Sequence, residues 1–204
     1  MNQFIFLARE AVKSYVKGGK VIQPPHPLPK ELDRKAGVFV SIHKVAPFTQ
    51  PTSSTIKERF RGTLHPQEFS DGYQATVNKE KLRGCIGTYL PTRDNVALEI
   101  IHNAIDSATH DSRFFPVTAG ELPHLRYSID ILSTPEIVTK IEDLDVKRYG
   151  LIVSTPDGRR GLLLPDLEGV ETVKEQISIC KSKAGIYPEE EVYLERFTVE
   201  RHKE

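Results

Sequence analysis

The chain has 204 residues, 38% hydrophobic and 27% charged, which suits one large globular domain or two small lobes and excludes a disordered or collagen-like polymer. Lysine plus arginine equals aspartate plus glutamate at 28 each, so no global field recommends nucleic acid or an anionic membrane as a partner. No apolar run approaches the roughly 20 residues of a membrane helix, and FIFLA near the start is too short, and too soon interrupted by Arg9, Glu10 and Lys13, to be a signal peptide.

Phe4, Ile5, Ala8, Ala11, Val12, Tyr15 and Val16 follow helical spacing, which predicts an amphipathic helix over 3–17 ended by Gly18-Gly19. PPHPLP (Pro24 to Pro29) then reads as an extended surface connector, because each proline fixes φ and lacks a donor. GVFVSIHK (Gly37 to Lys44) reads as a strand. Residues 45–72 hold no sustained period and many turn formers, so they read as a long loop. Tyr73 to Val77 resumes as a strand, which would pair with another over 82–89.

After Pro91, a helix with Val96, Ala97, Ile100, Ile101, Ala104, Ile105 and Ala108 on one face starts at Asn95 or Asp94 as cap. LRYSIDIL (Leu125 to Leu132) alternates as a half-buried strand, and 137–141 is a short strand or turn. Tyr149–Ser154 and Arg159–Leu164 flank Pro156-Asp157-Gly158, a hairpin signal. A third helix over 171–184 buries Val173, Ile177, Cys180 and Ala184; a last strand covers 191–199, and a charged tail follows. About three helices and roughly six to eight strands, joined by hairpins rather than βαβ units, predict an α+β fold with a mainly antiparallel sheet.

The stretch KLRGCIGTY (Lys81 to Tyr89) places one of only two cysteines between two glycines. Strand alternation sets Leu82, Gly84, Ile86 and Thr88 on one face and Arg83, Cys85, Gly87 and Tyr89 on the other. Gly84 would admit a close helix or mark a bulge. On the second face Arg83, next but one to Cys85, would favour the thiolate that a nucleophile needs, and Gly87 would leave room beside the sulfur. Backbone amides at Gly84 and Gly87 would be open to an anion. A second reading stands beside this one: Cys85 is a small apolar residue in a tight spot. Cys180, on a helix's apolar face, reads as core.

Asp111 and Arg113 in HDSRF read either as an ion pair at a helix end or as cleft groups beside Cys85. Arg159 and Arg160 read as anion-binding guanidiniums or as an ordinary hairpin tip. His43 reads as a structural group or as a base for Cys85. The remaining histidines, His26, His65, His102, His124 and His202, show no metal spacing, so no metal or cofactor is expected. No GxxxxGK, GxGxxG or GxSxG element is present, which removes P-loop hydrolysis, dinucleotide hydride transfer and serine-elbow chemistry. Two distant cysteines give neither a disulfide framework nor a CxxC pair, and a reducing cytoplasm is the expected location.

LRGCIG (Leu82 to Gly87) resembles the signature hexapeptide of the AMME syndrome candidate gene 1 protein family, and more narrowly its bacterial and archaeal branch called AmmeMemoRadiSam system protein A. The likeness continues in order through GVFVSIHK, LRGCIGTYLPTRDNVALEIIHNAIDSATHDSRFFPVT, SIDILSTPE, KRYGLIV, GRRGLLLPDLEGVETVKEQ and KAGI. It implies a single AMME-type domain over 1–204: a larger subdomain from both chain ends, a smaller one from part of the middle, and a cleft near the hexapeptide. This chain departs from the family's short hairpin by inserting residues 45–81 before the hexapeptide. The family's activity is unsettled, and its branch name implies association with a Memo-like protein and a radical SAM protein. With no CxxxCxxC cluster motif, this chain is not the radical enzyme. Two functions follow as expectations. One is a ligand-binding or enzymatic cleft using Cys85 and Arg83, with Gly84, Gly87, Asp111, Arg113 and Arg160 around a small anionic or nucleotide-like ligand. The other is a non-enzymatic adaptor.

Overall fold

The computed structural model describes residues 2–45 and 80–204. The anticipated strand over 73–77, and the loop over 45–72 apart from Val45, lie outside them. Helix α1 (Gln3–Gly18) starts where the Asn2 side chain accepts the Phe4 N–H at 2.9 Å, and it ends at Gly19, whose φ of 66° suits glycine. Strands β1 (Val38–Val45) and β2 (Glu80–Thr88) precede helix α2 (Val96–Thr109), which the Asn95 side chain caps by accepting the Leu98 N–H at 3.0 Å. Strands β3 (Leu125–Leu132), β4 (Glu136–Ile137), β5 (Gly150–Ser154) and β6 (Arg160–Leu163) follow, then helix α3 (Val173–Lys183) and strands β7 (Tyr193–Phe197) and β8 (Val199–Lys203).

The fold is α+β, with three α-helices among the described residues and two antiparallel four-stranded sheets rather than one. The first sheet runs β2-β1-β3-β8 and the second β4-β7-β5-β6. Two 3-10 turns, Ala119–His124 and Ile141–Asp143, carry no long apolar period and escape sequence reading. The expected charged tail is a strand: β8 pairs with β3 through Ser128–Lys203 to Leu132–Val199. Its charges read as solvent-bound until a tertiary partner is known, and Arg201 finds one in Asp130 at 2.6 Å.

One face of the first sheet is apolar. Val38, Val40, Ile42, Tyr127, Ile129 and Ile131 pack there against α1 and α2. In the second sheet, Leu151, Val153 and Leu163 pack against α3 through Cys180. Burial pushes the Cys180 thiol up to about 12. A smaller cluster of Leu132, Ile152 and Phe197, flanked by Phe39, Tyr89, Leu162 and Leu164, joins the two sheets. The apolar sides of the first sheet and of α3 are thus consumed by their own cores. What remains between the sheets, beyond the joining cluster, is the first sheet's other face, and that face is polar. Among the described residues no helix is long and apolar enough to cross a membrane.

Candidate functional site

Strand β2 is the outer strand of its sheet among the described residues, and its register slips once. Ile42 faces Gly84 while His43 faces Leu82, so Arg83 is an extra residue. A bulge of this kind reverses side-chain alternation beyond it. Leu82, expected on the core face with Ile86, instead stands on the Cys85 side, 39% exposed, lining the cleft. The same slip carries Arg83 away from the thiol. Its guanidinium donates to Glu121 at 2.9 and 3.1 Å and to the carbonyls of Phe115 and Pro116 at 2.8 and 3.3 Å. Arg83 first, with help from the Thr118 N–H and Lys44, holds the Glu121 carboxyl well below the usual range.

The glycines are occupied by packing. A Cβ on Gly84 would stand 1.9 Å from the Ser107 carbonyl oxygen, so this glycine seats α2 against β2. A Cβ on Gly87 would stand 2.4 Å from the Phe39 ring, which fills the gap expected beside the sulfur. Arg160 also goes elsewhere: it hydrogen-bonds the Tyr89 hydroxyl and lies over that ring at 5.0 Å. Arg159 is held by Asp157 and Glu190 at 2.9 and 2.5 Å.

Cys85, Asp111 and Arg113 do come together. The Cys85 N–H points outward from the sheet and donates to Asp111 Oδ2 at 2.8 Å, while the Arg113 guanidinium donates to the Cys85 carbonyl at 3.3 Å. Asp111 and Arg113 are themselves paired through Oδ1–Nε at 3.0 Å and Oδ2–Nη2 at 2.7 Å. Two side chains thus occupy the place of a neighbouring strand at Cys85, where β2 has none on that side among the described residues. The Arg113 hydrogen bond, with the backbone contacts, lowers the Asp111 carboxyl to about 2.

The Cys85 sulfur accepts a hydrogen bond from Ser41 Oγ at 3.2 Å, across the strand pair. Burial pushes the thiol pKa up and the Asp130 and Asp111 carboxylates add to that rise, against Ser41 and Arg113. The Cys85 environment thus favours the thiol. His43, on the same face, is held below its ordinary value by burial and by Lys203, with Glu80 opposing; no hydrogen bond joins it to Cys85 among the described residues.

The polar face forms the floor of a cleft of about 380 Å³. Strand register lays its side chains in rows. Cys85, Ser41, Ser128 and Lys203 succeed one another across four strands, and Phe39, Asp130 and Arg201 form the row beside them. Leu162, Leu164, Leu167 and Lys183 line the opposite wall. Sequence reading missed Ser41, Ser128, Asp130, Arg201, Lys203 and Lys183. One signal was available: in SIDIL the serine and aspartate share a strand face whose opposite side is wholly apolar. No group of three or more His, Cys, Asp or Glu side chains stands ready for a metal among the described residues.

A family model described as AMMECR1 matches residues 5–202. A Thermotoga maritima protein is 46% identical, with 99% of this chain and 98% of the relative covered. Protein CA_C1420 of Clostridium acetobutylicum is 40% identical over 100% of this chain, which spans only 36% of that longer relative. The crystal structure of the uncharacterized protein PH0010 from Pyrococcus horikoshii is similar at a TM-score of 0.75 and 30% identity, covering 98% of this chain and 89% of that one.

Proposed function

The chain belongs to the AMMECR1 family, and from that premise and the cleft's geometry we propose that it binds a small anionic ligand between its two sheets. Residues 1–204 act in this reading as one AMME-type domain, the larger lobe drawn from both chain ends. The observation that carries it is a charge imbalance. Arg113 and Arg201 are matched by Asp111 and Asp130, whereas Lys203 and Lys183 line the same cleft with no carboxylate partner among the described residues. A concave site that focuses unmatched positive charge attracts anions. Cys85 enters as a neutral thiol in the wall. The nucleophile reading loses support because the groups around the sulfur raise its pKa on balance and Arg83 is engaged with Glu121.

Titrating the protein with inorganic phosphate while following the backbone amides of Ser41, Cys85, Ser128 and Lys203 tests this. Saturable shifts are expected at those positions, weakened several-fold by Lys203→Met. Absence of saturable shifts would remove the reading. In parallel, Cys85 should alkylate more slowly than free cysteine at neutral pH, with the rate rising on the alkaline side. A thiol faster than free cysteine would return Cys85 to the role of nucleophile.

The adaptor reading, docking a Memo-like or radical SAM partner, is favoured by one observation: in the Clostridium acetobutylicum relative this domain forms 36% of a longer chain. Under it, co-elution with a purified partner would survive Cys85→Ala.

A further inference from the structure

Strands stand about 4.8 Å apart, so the row from Cys85 to Lys203 extends roughly 14 Å across the sheet. Along it lie a thiol, two hydroxyls and an ammonium. Ser41 is engaged, donating to the sulfur. Ser128 is different. It is 7% exposed and faces the cleft, and its hydroxyl makes no hydrogen bond among the described residues. It is not among the buried side-chain atoms left without a partner, which among the described residues are Arg9 Nε and Gln176 Oε1. The Ser128 hydroxyl is therefore open to the cleft and free to exchange water for a ligand. Beside it, Asp130 is 3% exposed; Arg201 occupies Oδ1, and a carboxylate has further lone pairs to offer a donor.

Resting on the anion-binding reading, we infer that the ligand is a phosphate monoester of a hydroxylated, sugar-like compound. Its phosphate faces Lys203 and Lys183, its hydroxyls meet Ser128 and Asp130, and its less polar side lies against Leu162, Leu164 and Leu167. Charge supports the phosphate: two unmatched ammoniums balance a group carrying about −1.5 to −2 at neutral pH better than they balance one carboxylate. Size supports a small compound, because about 380 Å³ lies near the lower end of ligand pockets. The two-sided lining, hydroxyls and charges below and leucines above, matches a sugar ring. Sugar phosphates and nucleoside monophosphates share this chemistry.

Calorimetric titration of the full chain with butyl phosphate, ribose 5-phosphate, AMP and ribose tests it. Ribose 5-phosphate or AMP should bind about tenfold tighter than butyl phosphate, since a well-met hydroxyl contributes about 1.4 kcal/mol. Ribose alone should bind weakest. Ser128→Ala should reduce that preference while leaving butyl phosphate affinity unchanged, and Lys203→Met should weaken all three phosphates. AMP exceeding ribose 5-phosphate would assign a nucleotide, and equality a sugar phosphate; both support the class. Equal affinity for butyl phosphate and ribose 5-phosphate would overturn this inference yet leave anion binding standing. No binding of any phosphate would overturn both.

Discussion

Gly84→Ala is expected to destabilise the protein by about 3 kcal/mol or more, at the upper end of the overpacking range. The added methyl would stand 1.9 Å from the Ser107 carbonyl oxygen and 2.9 Å from its carbonyl carbon, both backbone atoms of α2. No rotamer change can relieve that, so the helix must move. Moving it breaks a bridge, because the Ser107 hydroxyl accepts the Ile86 N–H and donates to the Val40 carbonyl, each at 2.8 Å. Asn103, one turn earlier on the same helix, donates to the Val38 carbonyl at 2.9 Å and would shift with it. Urea unfolding measures the loss as a lower midpoint at unchanged slope. Gly120→Ala, with no atom within 4 Å of the new methyl, is the control. A Gly84→Ala midpoint within about 0.5 kcal/mol of the parent would contradict the packing role.

Gly161 repeats the arrangement in the second sheet, where a Cβ would stand 1.9 Å from the Cys180 carbonyl oxygen of α3. Both glycines follow an arginine, and both arginines leave the strand to hold another element: Arg83 takes Glu121, and Arg160 takes Tyr89. The Arg-Gly pair is therefore a docking device used twice. At the hexapeptide it explains two residues without any ligand.

The helices and the Pro156-Asp157-Gly158 hairpin were legible because their signals are local: apolar spacing, capping side chains and turn residues. Strand β8 was not, since VERHK offers no apolar alternation and gains its meaning from Asp130, far away in sequence. The bulge at Arg83 left no local mark either, and it undid the face assignment for Leu82 and Arg83 together. At the site, two of the side chains singled out from the sequence, Cys85 and Arg113, do line the cleft, whereas the guanidiniums of Arg83 and Arg160 are engaged elsewhere. Cys85 was noticed for its glycine neighbours, which serve helix and ring packing. The rest of the cleft floor comes from β1, β3 and β8, whose serines and charges are individually ordinary. Only the register that lines up Cys85, Ser41, Ser128 and Lys203 gathers them into one surface.

Asp111→Ala should remove about 2–3 kcal/mol at neutral pH, because a charged acceptor is lost from the Cys85 N–H and from Arg113 at once. Asp111→Asn, which keeps an acceptor for the amide but discharges the pair, should lose less. The pH dependence has a definite sign. The folded carboxyl titrates at about 2, below the ordinary 3.8, so its contribution is complete above the ordinary value and disappears as pH falls through about 2. The gap between parent and Asp111→Ala should therefore be constant from pH 7 down to about 4 and close toward pH 2. A gap independent of pH would mean that the carboxylate's charge is not what stabilises the edge. The same substitution also reports on the thiol. Asp111 is one of the charges that raises the Cys85 pKa, and removing it leaves Arg113 facing Cys85 without its counter-ion. Cys85 should then alkylate faster in Asp111→Ala than in the parent at equal pH, although the protein as a whole is less stable. Asp111 thus acts in two directions at once, closing the sheet edge through its hydrogen bonds while its charge adds to the burial that raises the thiol pKa.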